Sequence, residues 1–201
     1  MVPKRIVVIG SSSAEGKVDP EFGGFAGRLR AWHESISPHN HVFNLAISGD
    51  TTAGMLKRLV IESKPRSPDL ILIQHGLNDT LRRGNKSAPN NIPIAQFKNN
   101  VVELIQQAKI LAKVAVISVY PIDDSRTSPV SWDNIYYLLA DAKIYTQAAK
   151  EICQKTEIPY LDIFNQWIKT DYEKYLYEDG LHTNSLGHKI IFEELKKFLE
   201  F

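Results

Sequence analysis

Serine, aspartate and histidine residues stand at places in the sequence where an acyl-transfer site could be assembled. Gly10-Ser11-Ser12-Ser13 follows a short apolar run, and Asp179-Gly180-Leu181-His182 lies near the C-terminus. A serine hydroxyl is a weak nucleophile that needs a base to take its proton, and a histidine oriented by a carboxylate is such a base. The spacing of three between Asp179 and His182 puts their side chains on the same side of a turn, within reach of each other.

Two further polar segments follow apolar runs and could hold the negative charge that forms during acyl transfer. One contains Ser48-Gly49-Asp50, and the other reads Gln74-His75-Gly76-Leu77-Asn78-Asp79. Each segment taken alone is typical of a turn or a helix cap. Together with the serines and the Asp–His pair, they supply a nucleophile, a base, its carboxylate and oxyanion donors. That set predicts a serine hydrolase site.

The elements that must position these residues are predicted to be the strands and helices of a parallel sheet. Continuous apolar runs predict buried strands, with the last more weakly marked, over 5–10, 41–47, 69–74, 114–120 and 158–163. Helical spacing of apolar residues predicts helices over 22–36, 51–63, 97–111, 132–152 and 186–198, with Thr183 or Asn184 capping the last. Residues 85–93 and 121–129 are predicted loops.

Strands that alternate with helices predict a three-layer α/β/α domain with a five-stranded parallel sheet. The alternation continues along the chain, so a single domain over residues 1–201 is expected. Ligands of such sheets bind beyond the carboxyl ends of the strands, where the polar segments are predicted to lie.

In order and content, these segments resemble the conserved blocks of the SGNH hydrolases, also called GDSL-type lipases/esterases, over nearly the whole chain. The third block of that family, Gly-x-Asn-Asp, is present as Gly76-Leu77-Asn78-Asp79, and the last block, Asp-x-x-His, as Asp179-Gly180-Leu181-His182. Gly49 matches the glycine of the second block.

The first block of the family, Gly-Asp-Ser, appears here as Gly10-Ser11-Ser12, which makes Ser12 the nucleophile by position. Ser11 replaces the usual aspartate, so the choice among Ser11, Ser12 and Ser13 stays open. The replacement also removes a carboxylate that would help to brace the nucleophile loop.

The resemblance implies a flavodoxin-like SGNH fold and hydrolysis of carboxylic acyl esters through an acyl-serine intermediate. Ser12 would be the nucleophile, His182 the general base, and Asp179 the carboxylate that orients the histidine. The oxyanion hole would consist of the Ser12 N–H, the Gly49 N–H and the Asn78 side chain, and Asp79 could tie the oxyanion loop down. No metal or organic cofactor is expected, and the substrate would be a small-molecule, lipid or sugar ester.

The amino-acid composition limits the classes of binding partner that are expected. Lys and Arg total 24 against 23 Asp and Glu, so neither a nucleic acid nor an anionic membrane is suggested as a partner. The single cysteine, Cys153, excludes an internal disulfide, and a packed thiol is expected there. No apolar run approaches the length of a membrane span or a signal-peptide core, so the cytoplasm is the expected location. The oligomeric state is left open.

Several alternatives compete with this interpretation. The segment Gly10 to Lys17 resembles a P-loop, but five residues separate Gly10 from Gly16 instead of four, and Val18 replaces the magnesium-binding Ser or Thr. A flavodoxin-like protein could bind a phosphate or a flavin at the three serines. An α/β-hydrolase nucleophile elbow would need strands ahead of the serine, and only eleven residues precede Ser12. A non-catalytic relative is the fourth alternative.

Overall fold

The structure, a computed structural model that describes residues 3–199, is built on a central sheet of five parallel strands. Within these described residues the strands in chain order are β1 (Arg5–Ile9), β2 (His41–Asn44), β3 (Leu70–Gln74), β4 (Arg82–Arg83), β5 (Lys113–Ile117), β6 (Ile135–Tyr136) and β7 (Tyr160–Leu161). The central sheet has the order β2-β1-β3-β5-β7, and β4 pairs with β6 in a small antiparallel sheet. The predicted five-stranded parallel sheet is therefore confirmed, with flavodoxin-like strand order.

Helices cover both faces of the central sheet. They are α1 (Ser12–Glu15), α2 (Gly24–Ile36), α3 (Thr52–Ser63), α4 (Ile94–Leu111), α5 (Asp124–Thr127), α6 (Leu139–Lys155), α7 (Ile163–Trp167) and α8 (Ser185–Leu199). Asn184 caps α8, because its Oδ1 accepts the Gly187 N–H at 3.0 Å. Among residues 3–199, no helix has both the length and the apolar character needed to cross a membrane.

Alternate residues of each central strand enter different cores, because side chains alternate across a sheet. Ile6 and Val8 of β1 pack with α2, α7 and α8, whereas Val7 and Ile9 pack with α3, α4 and α6. All four side chains are fully buried, and burial of each such side chain contributes roughly 1.5–3 kcal/mol. This two-sided burial explains why the strands read as continuous apolar runs.

The prediction of a helix over 132–152 is wrong in its first part. Residues 135–136 form strand β6 and pair with Arg82 and Arg83, and α6 begins only at Leu139. Ile135 and Tyr137 are buried while Tyr136 between them is half-buried, which is the alternation of a strand. Three apolar residues in this short stretch satisfied the helical period by coincidence.

The last strand is also shorter than predicted. Only Tyr160 and Leu161 pair with β5, because Pro159 has no N–H to donate and Asp162 already caps the next helix. The Asp162 carboxylate accepts the Asn165 N–H at 3.1 Å at the start of α7. The predicted loop over 121–129 contains the one-turn helix α5.

Candidate active site

The parallel sheet brings the predicted site residues to its carboxyl edge. Ser12 is the first residue of α1, directly after β1, and Asn78 follows β3, which is the neighbour of β1 in the sheet. The segment from Asp179 to His182 precedes α8, which packs on α2 beside the same edge. Together with Gly49, which follows β2, these residues line one cavity of about 720 Å³.

A continuous run of hydrogen bonds joins Ser12, His182 and Asp179. The Ser12 Oγ lies 3.0 Å from His182 Nε2, and His182 Nδ1 lies 2.7 Å from Asp179 Oδ2. The other carboxylate oxygen of Asp179 accepts the backbone N–H groups of Leu181 and His182, each at 2.9 Å. An ionised carboxylate accepts only, so the imidazole donates from Nδ1 and turns an unprotonated Nε2 toward the Ser12 hydroxyl.

Asp179 is electrostatically suited to this orienting position. Burial raises the pKa of its carboxyl, but the hydrogen bonds from the His182 ring and from two backbone N–H groups outweigh burial and hold the pKa below its usual range. The carboxylate is therefore ionised at neutral pH and can stabilise a positive charge on the imidazole.

The structure separates the three adjacent serines by what each hydroxyl contacts. The Ser12 hydroxyl contacts His182, whereas the Ser13 Oγ lies 2.6 Å from the hydroxyl of Tyr120. The Ser11 side chain is buried against Gly76, where a Cβ atom would lie 3.0 Å from its Oγ. The geometry thus favours Ser12 as the nucleophile, as the family pattern predicts. The closeness of the Ser11 hydroxyl also gives a reason for glycine at position 76.

Both the oxygen and the nitrogen of the Asn78 side-chain amide form hydrogen bonds within the protein. Its Oδ1 accepts a hydrogen bond from the Tyr137 hydroxyl at 3.0 Å, and its Nδ2 donates to the Asp50 carbonyl at 2.9 Å. A side-chain amide carries two N–H donors, so the second is left for a ligand in the cavity. Gly49 has φ of +82°, a backbone conformation that favours glycine.

Asp79 anchors the turn that carries Asn78. Its buried carboxylate accepts hydrogen bonds from the Thr52 N–H at 3.1 Å and the Thr52 hydroxyl at 2.5 Å, and Asn100 Nδ2 donates to that hydroxyl. Burial raises the pKa of Asp79 to about 6, although the Thr52 hydrogen bonds oppose the rise. The side chain ties the Asn78 turn to α3, as the sequence suggested.

An arginine that sequence reasoning missed braces the turn before the serines. The Arg58 guanidinium, on α3, pairs with Asp50 at 2.7 Å and donates to the carbonyl oxygens of Leu45 and Gly10. It connects the ends of β1 and β2, and so provides a brace although Ser11 is not a carboxylate. Nothing in the sequence distinguishes Arg58 from the other arginines, because its contacts with the Asp50 carboxylate and with the Leu45 and Gly10 carbonyl oxygens form only when the chain folds.

Two other reactive side chains lie apart from this run of hydrogen bonds. Cys153 is fully buried in the core, and burial raises the pKa of its thiol to about 12, which confirms the expected packed thiol. Burial lowers the pKa of His75 to about 4, and its ring packs against Phe97 and Tyr160 on the α4 and α6 side of the sheet. Cys153 lies outside the lining of the cavity that contains Ser12, whereas His75 is one of the residues that line it.

Known proteins with similar sequences carry esterase and lipase names. GDSL esterase/lipase WDL1 from Oryza sativa subsp. japonica is 20% identical over 153 residues, which cover 73% of this chain and 59% of that protein. GDSL esterase/lipase At5g62930 from Arabidopsis thaliana is 22% identical over 194 residues, which cover 90% of this chain and 72% of that protein. The chain therefore spans about three fifths to three quarters of the length of these relatives.

Solved structures show the same fold. A lipase/acylhydrolase from Enterococcus faecalis superposes with a TM-score of 0.79 at 22% identity, covering 98% of this chain and 96% of that one. The acetylxylan esterase Axe2 from Geobacillus stearothermophilus gives a TM-score of 0.77 at 19% identity, covering 98% and 94%. Two further Axe2 structures, described as catalytic mutants, have alanine in place of a serine and of a histidine.

A protein-family model covers most of the sequence. The model described as the GDSL-like Lipase/Acylhydrolase family matches residues 8–190, a span that includes the serines after β1 and the Asp–His pair before α8. The chain belongs to the GDSL-like lipase/acylhydrolase family.

Proposed function

We propose that this chain hydrolyses carboxylic esters, with Ser12 as nucleophile, His182 as general base and Asp179 as the carboxylate that orients His182. The observation that carries the proposal is the run of two short contacts, 3.0 Å from Ser12 to His182 and 2.7 Å from His182 to Asp179. Family membership and the serine and histidine replacements in the Axe2 catalytic mutants support it.

In the first half of the reaction, the Ser12 oxygen attacks the ester carbonyl carbon while its proton moves to His182 Nε2. The carbonyl oxygen, on which negative charge forms, accepts hydrogen bonds from the N–H groups of Ser12 and Gly49 and from the free N–H of Asn78. The intermediate then expels the alcohol, which takes the proton from His182, and the acyl group remains on Ser12.

In the second half, a water molecule attacks the acyl carbon and gives its proton to the same nitrogen of His182. The second tetrahedral intermediate releases the carboxylic acid and returns the proton to the Ser12 oxygen. Asp179 is ionised throughout and stabilises the imidazolium that forms in each half.

A binding protein for phosphate or flavin, or a non-catalytic relative, is the alternative. Such a protein could use Ser11 to Ser13, but it would give no role to the oriented imidazole 3.0 Å from Ser12. An electrophilic phosphonate ester distinguishes the two, because it reacts only with an activated serine.

The test compares single alanine variants at Ser11, Ser12 and Ser13 with the wild type on aryl esters of increasing acyl length. We expect Ser12→Ala to lose activity on the order of 10³-fold or more and to escape phosphonate labelling, with its fold intact by circular dichroism. The other two variants should retain labelling. Wild-type turnover in Ser12→Ala, with loss in a neighbouring variant, would assign the nucleophile to that neighbour.

A further inference from the structure

A small antiparallel sheet connects the turn that carries Asn78 with the segment that carries Tyr137. Strand β4 follows the Asn78 turn in the chain, and strand β6 directly precedes Tyr137. In this sheet, Arg82 of β4 lies opposite Tyr136 of β6. The pairing therefore constrains how the Tyr137 hydroxyl approaches the Asn78 Oδ1, which it contacts at 3.0 Å.

An ion pair between Arg82 and Asp141 supports this small sheet. With two residues in each strand, the sheet is too short to keep its geometry by itself. The Arg82 Nε lies 2.7 Å from Asp141 Oδ2, and one Nη of the same guanidinium lies 2.9 Å from Oδ1. Such a two-point contact fixes orientation as well as distance. Because Asp141 lies in the first turn of α6, the pair joins β4 to that helix.

The same two side chains also hold the loop between β4 and α4. Arg82 donates to the Ala88 carbonyl at 2.6 Å, and Asn90 Nδ2 donates to Asp141 Oδ2 at 3.0 Å. The second hydrogen of the Asn90 amide goes to the Thr80 carbonyl at 2.8 Å. The Arg82 and Asp141 side chains are 18% and 10% exposed, so water competes less for these contacts than at an open surface.

Tyr137 lies in the chain between the two attachment points of this ion pair. Strand β6, which pairs with the strand of Arg82, comes directly before it, and the helix turn that carries Asp141 follows it. Its backbone is also fixed, since the Tyr137 N–H donates to the Thr127 carbonyl at 2.9 Å. Supports on both sides therefore direct the Tyr137 phenol toward Asn78.

We infer that Arg82 and Asp141 are positioning residues for the oxyanion hole, which act on the reaction through Tyr137 and Asn78. Both lie outside the lining of the cavity that contains Ser12, so their effect must pass through other side chains. The Asn78 N–H stabilises the transition state only when it points at the oxygen that becomes negative, and small displacements there slow the chemistry. This inference rests on the proposed function, because attack by Ser12 defines the oxyanion hole.

The first experiment weakens the ion pair while keeping the size of the side chains. It compares Asp141→Asn, which removes the negative charge, and Arg82→Lys, which removes the two-point contact, with wild type on one aryl ester. We expect each variant to lower kcat by about tenfold and to change KM by less than about twofold. Lys150→Met is the matched control, because it breaks the Lys150–Asp162 pair of the same helix, at 2.8 Å, and should leave kcat unchanged.

Inhibitor binding separates a displaced oxyanion hole from a general loosening of the cavity. An aryl trifluoromethyl ketone forms a bond from its carbonyl carbon to the Ser12 oxygen, the Ser12 proton moves to His182, and the ketone oxygen becomes an oxyanion. The matching methyl ketone binds without forming this adduct. We expect Asp141→Asn to weaken binding of the trifluoromethyl ketone by about tenfold and of the methyl ketone by less than about twofold. Equal weakening of both ketones would overturn the inference.

A double variant tests whether the effect reaches the reaction through Asn78. When Asn78 is replaced by alanine, the donor that the ion pair positions is absent. Adding Asp141→Asn to Asn78→Ala should therefore lower kcat by less than about twofold further. Fully additive losses would show that Asp141 acts by another route and would overturn the assignment. If Asp141→Asn does not fold, Arg82→Lys provides the same comparison.

Failure of the positioning role differs from failure of the proposed function. In the first case, the wild type hydrolyses the ester and reacts with the phosphonate, but Asp141→Asn and Arg82→Lys have the wild-type kcat. In the second case, the wild type neither hydrolyses the ester nor reacts with the phosphonate. Urea unfolding of every variant confirms that kcat is compared between folded proteins.

Discussion

The hydroxyl of Tyr120 connects the residue after Ser12 with the residue after His182. It lies 2.6 Å from the Ser13 Oγ and accepts the Thr183 N–H at 3.2 Å, and the whole side chain is buried. Burial also raises the pKa of the Tyr120 phenol, although its hydrogen bonds oppose the rise, so the phenol is neutral at all ordinary pH values. The Tyr120 hydroxyl oxygen thus bridges the segment that carries Ser12 and the segment that carries His182.

We expect Tyr120→Phe to lower kcat by about tenfold with little change in KM, because a shift of the Ser12–His182 contact affects chemistry more than binding. The ring that fills the core is retained. Tyr145→Phe is the matched control, since its buried hydroxyl donates to the Ile92 carbonyl at 2.6 Å on the other face of the sheet. Steady-state kinetics on one aryl ester decide the point, and equal kcat losses in both variants would make the effect general destabilisation.

The Tyr137–Asn78 hydrogen bond predicts a coupled effect on the oxyanion hole. Asn78→Ala should lower kcat on the order of 100-fold, as loss of one oxyanion donor does. Tyr137→Phe should cause a smaller loss, because Asn78 remains but its amide is no longer held by the Tyr137 hydroxyl. In the double variant, the Tyr137 change should have little further effect. Fully additive losses would show that Tyr137 acts independently of Asn78.

The Asp179–His182 pair predicts a specific pH dependence. Only a neutral imidazole can accept the Ser12 proton, so kcat/KM should fall on the acid side with the uptake of one proton. Asp179→Asn should reduce turnover by up to about 10⁴-fold, because the amide cannot stabilise the imidazolium and favours the wrong tautomer. The measurement is a kcat/KM profile from about pH 5 to about pH 9 for both proteins. A flat wild-type profile, or an Asp179→Asn variant with unchanged rate, would remove both residues from their proposed roles.

His188, buried at the start of α8, predicts how stability changes with pH. Burial lowers the pKa of its ring to about 4, so between the ordinary imidazole value of 6.5 and about 4 the unfolded chain binds a proton that the folded chain does not. Its contribution to the free energy of unfolding is therefore present above pH 6.5 and is lost as pH falls, by up to about 3 kcal/mol. His188→Gln should lose less stability than wild type between about pH 7 and about pH 4.5 in urea unfolding.

That comparison is needed because other groups titrate in the same range. Asp79, whose pKa burial raises to about 6, stabilises the fold as pH falls through 6, and His75 acts in the same direction as His188. These contributions are present in wild type and in His188→Gln, so they cancel in the difference. An identical drop in both proteins would show that His188 takes up its proton equally in the folded and unfolded states.

The parts of the fold and site that the sequence predicted are those with a local signal. Buried strands such as β1 and β3 show as apolar runs, and Asp179 and His182 lie in one short segment. Arg58, Tyr120 and Tyr137 were not predicted as supports of the site, because each acts through a partner distant in the chain or through backbone atoms. Tyr137 was also obscured by the wrong helix prediction over 132–152, because it lies between β6 and the start of α6.

The two atoms of the Ser12–His182 contact come from residues 170 positions apart in the chain. Closing so long a loop costs chain entropy, and the packing of the intervening strands and helices offsets that cost. We therefore expect the Ser12–His182 contact to form late in folding. Helix content and partial collapse can therefore recover in a refolding chain before any ester is cleaved. Ester hydrolysis measured during refolding therefore indicates when the complete topology has formed, including the docking of α8 beside β1.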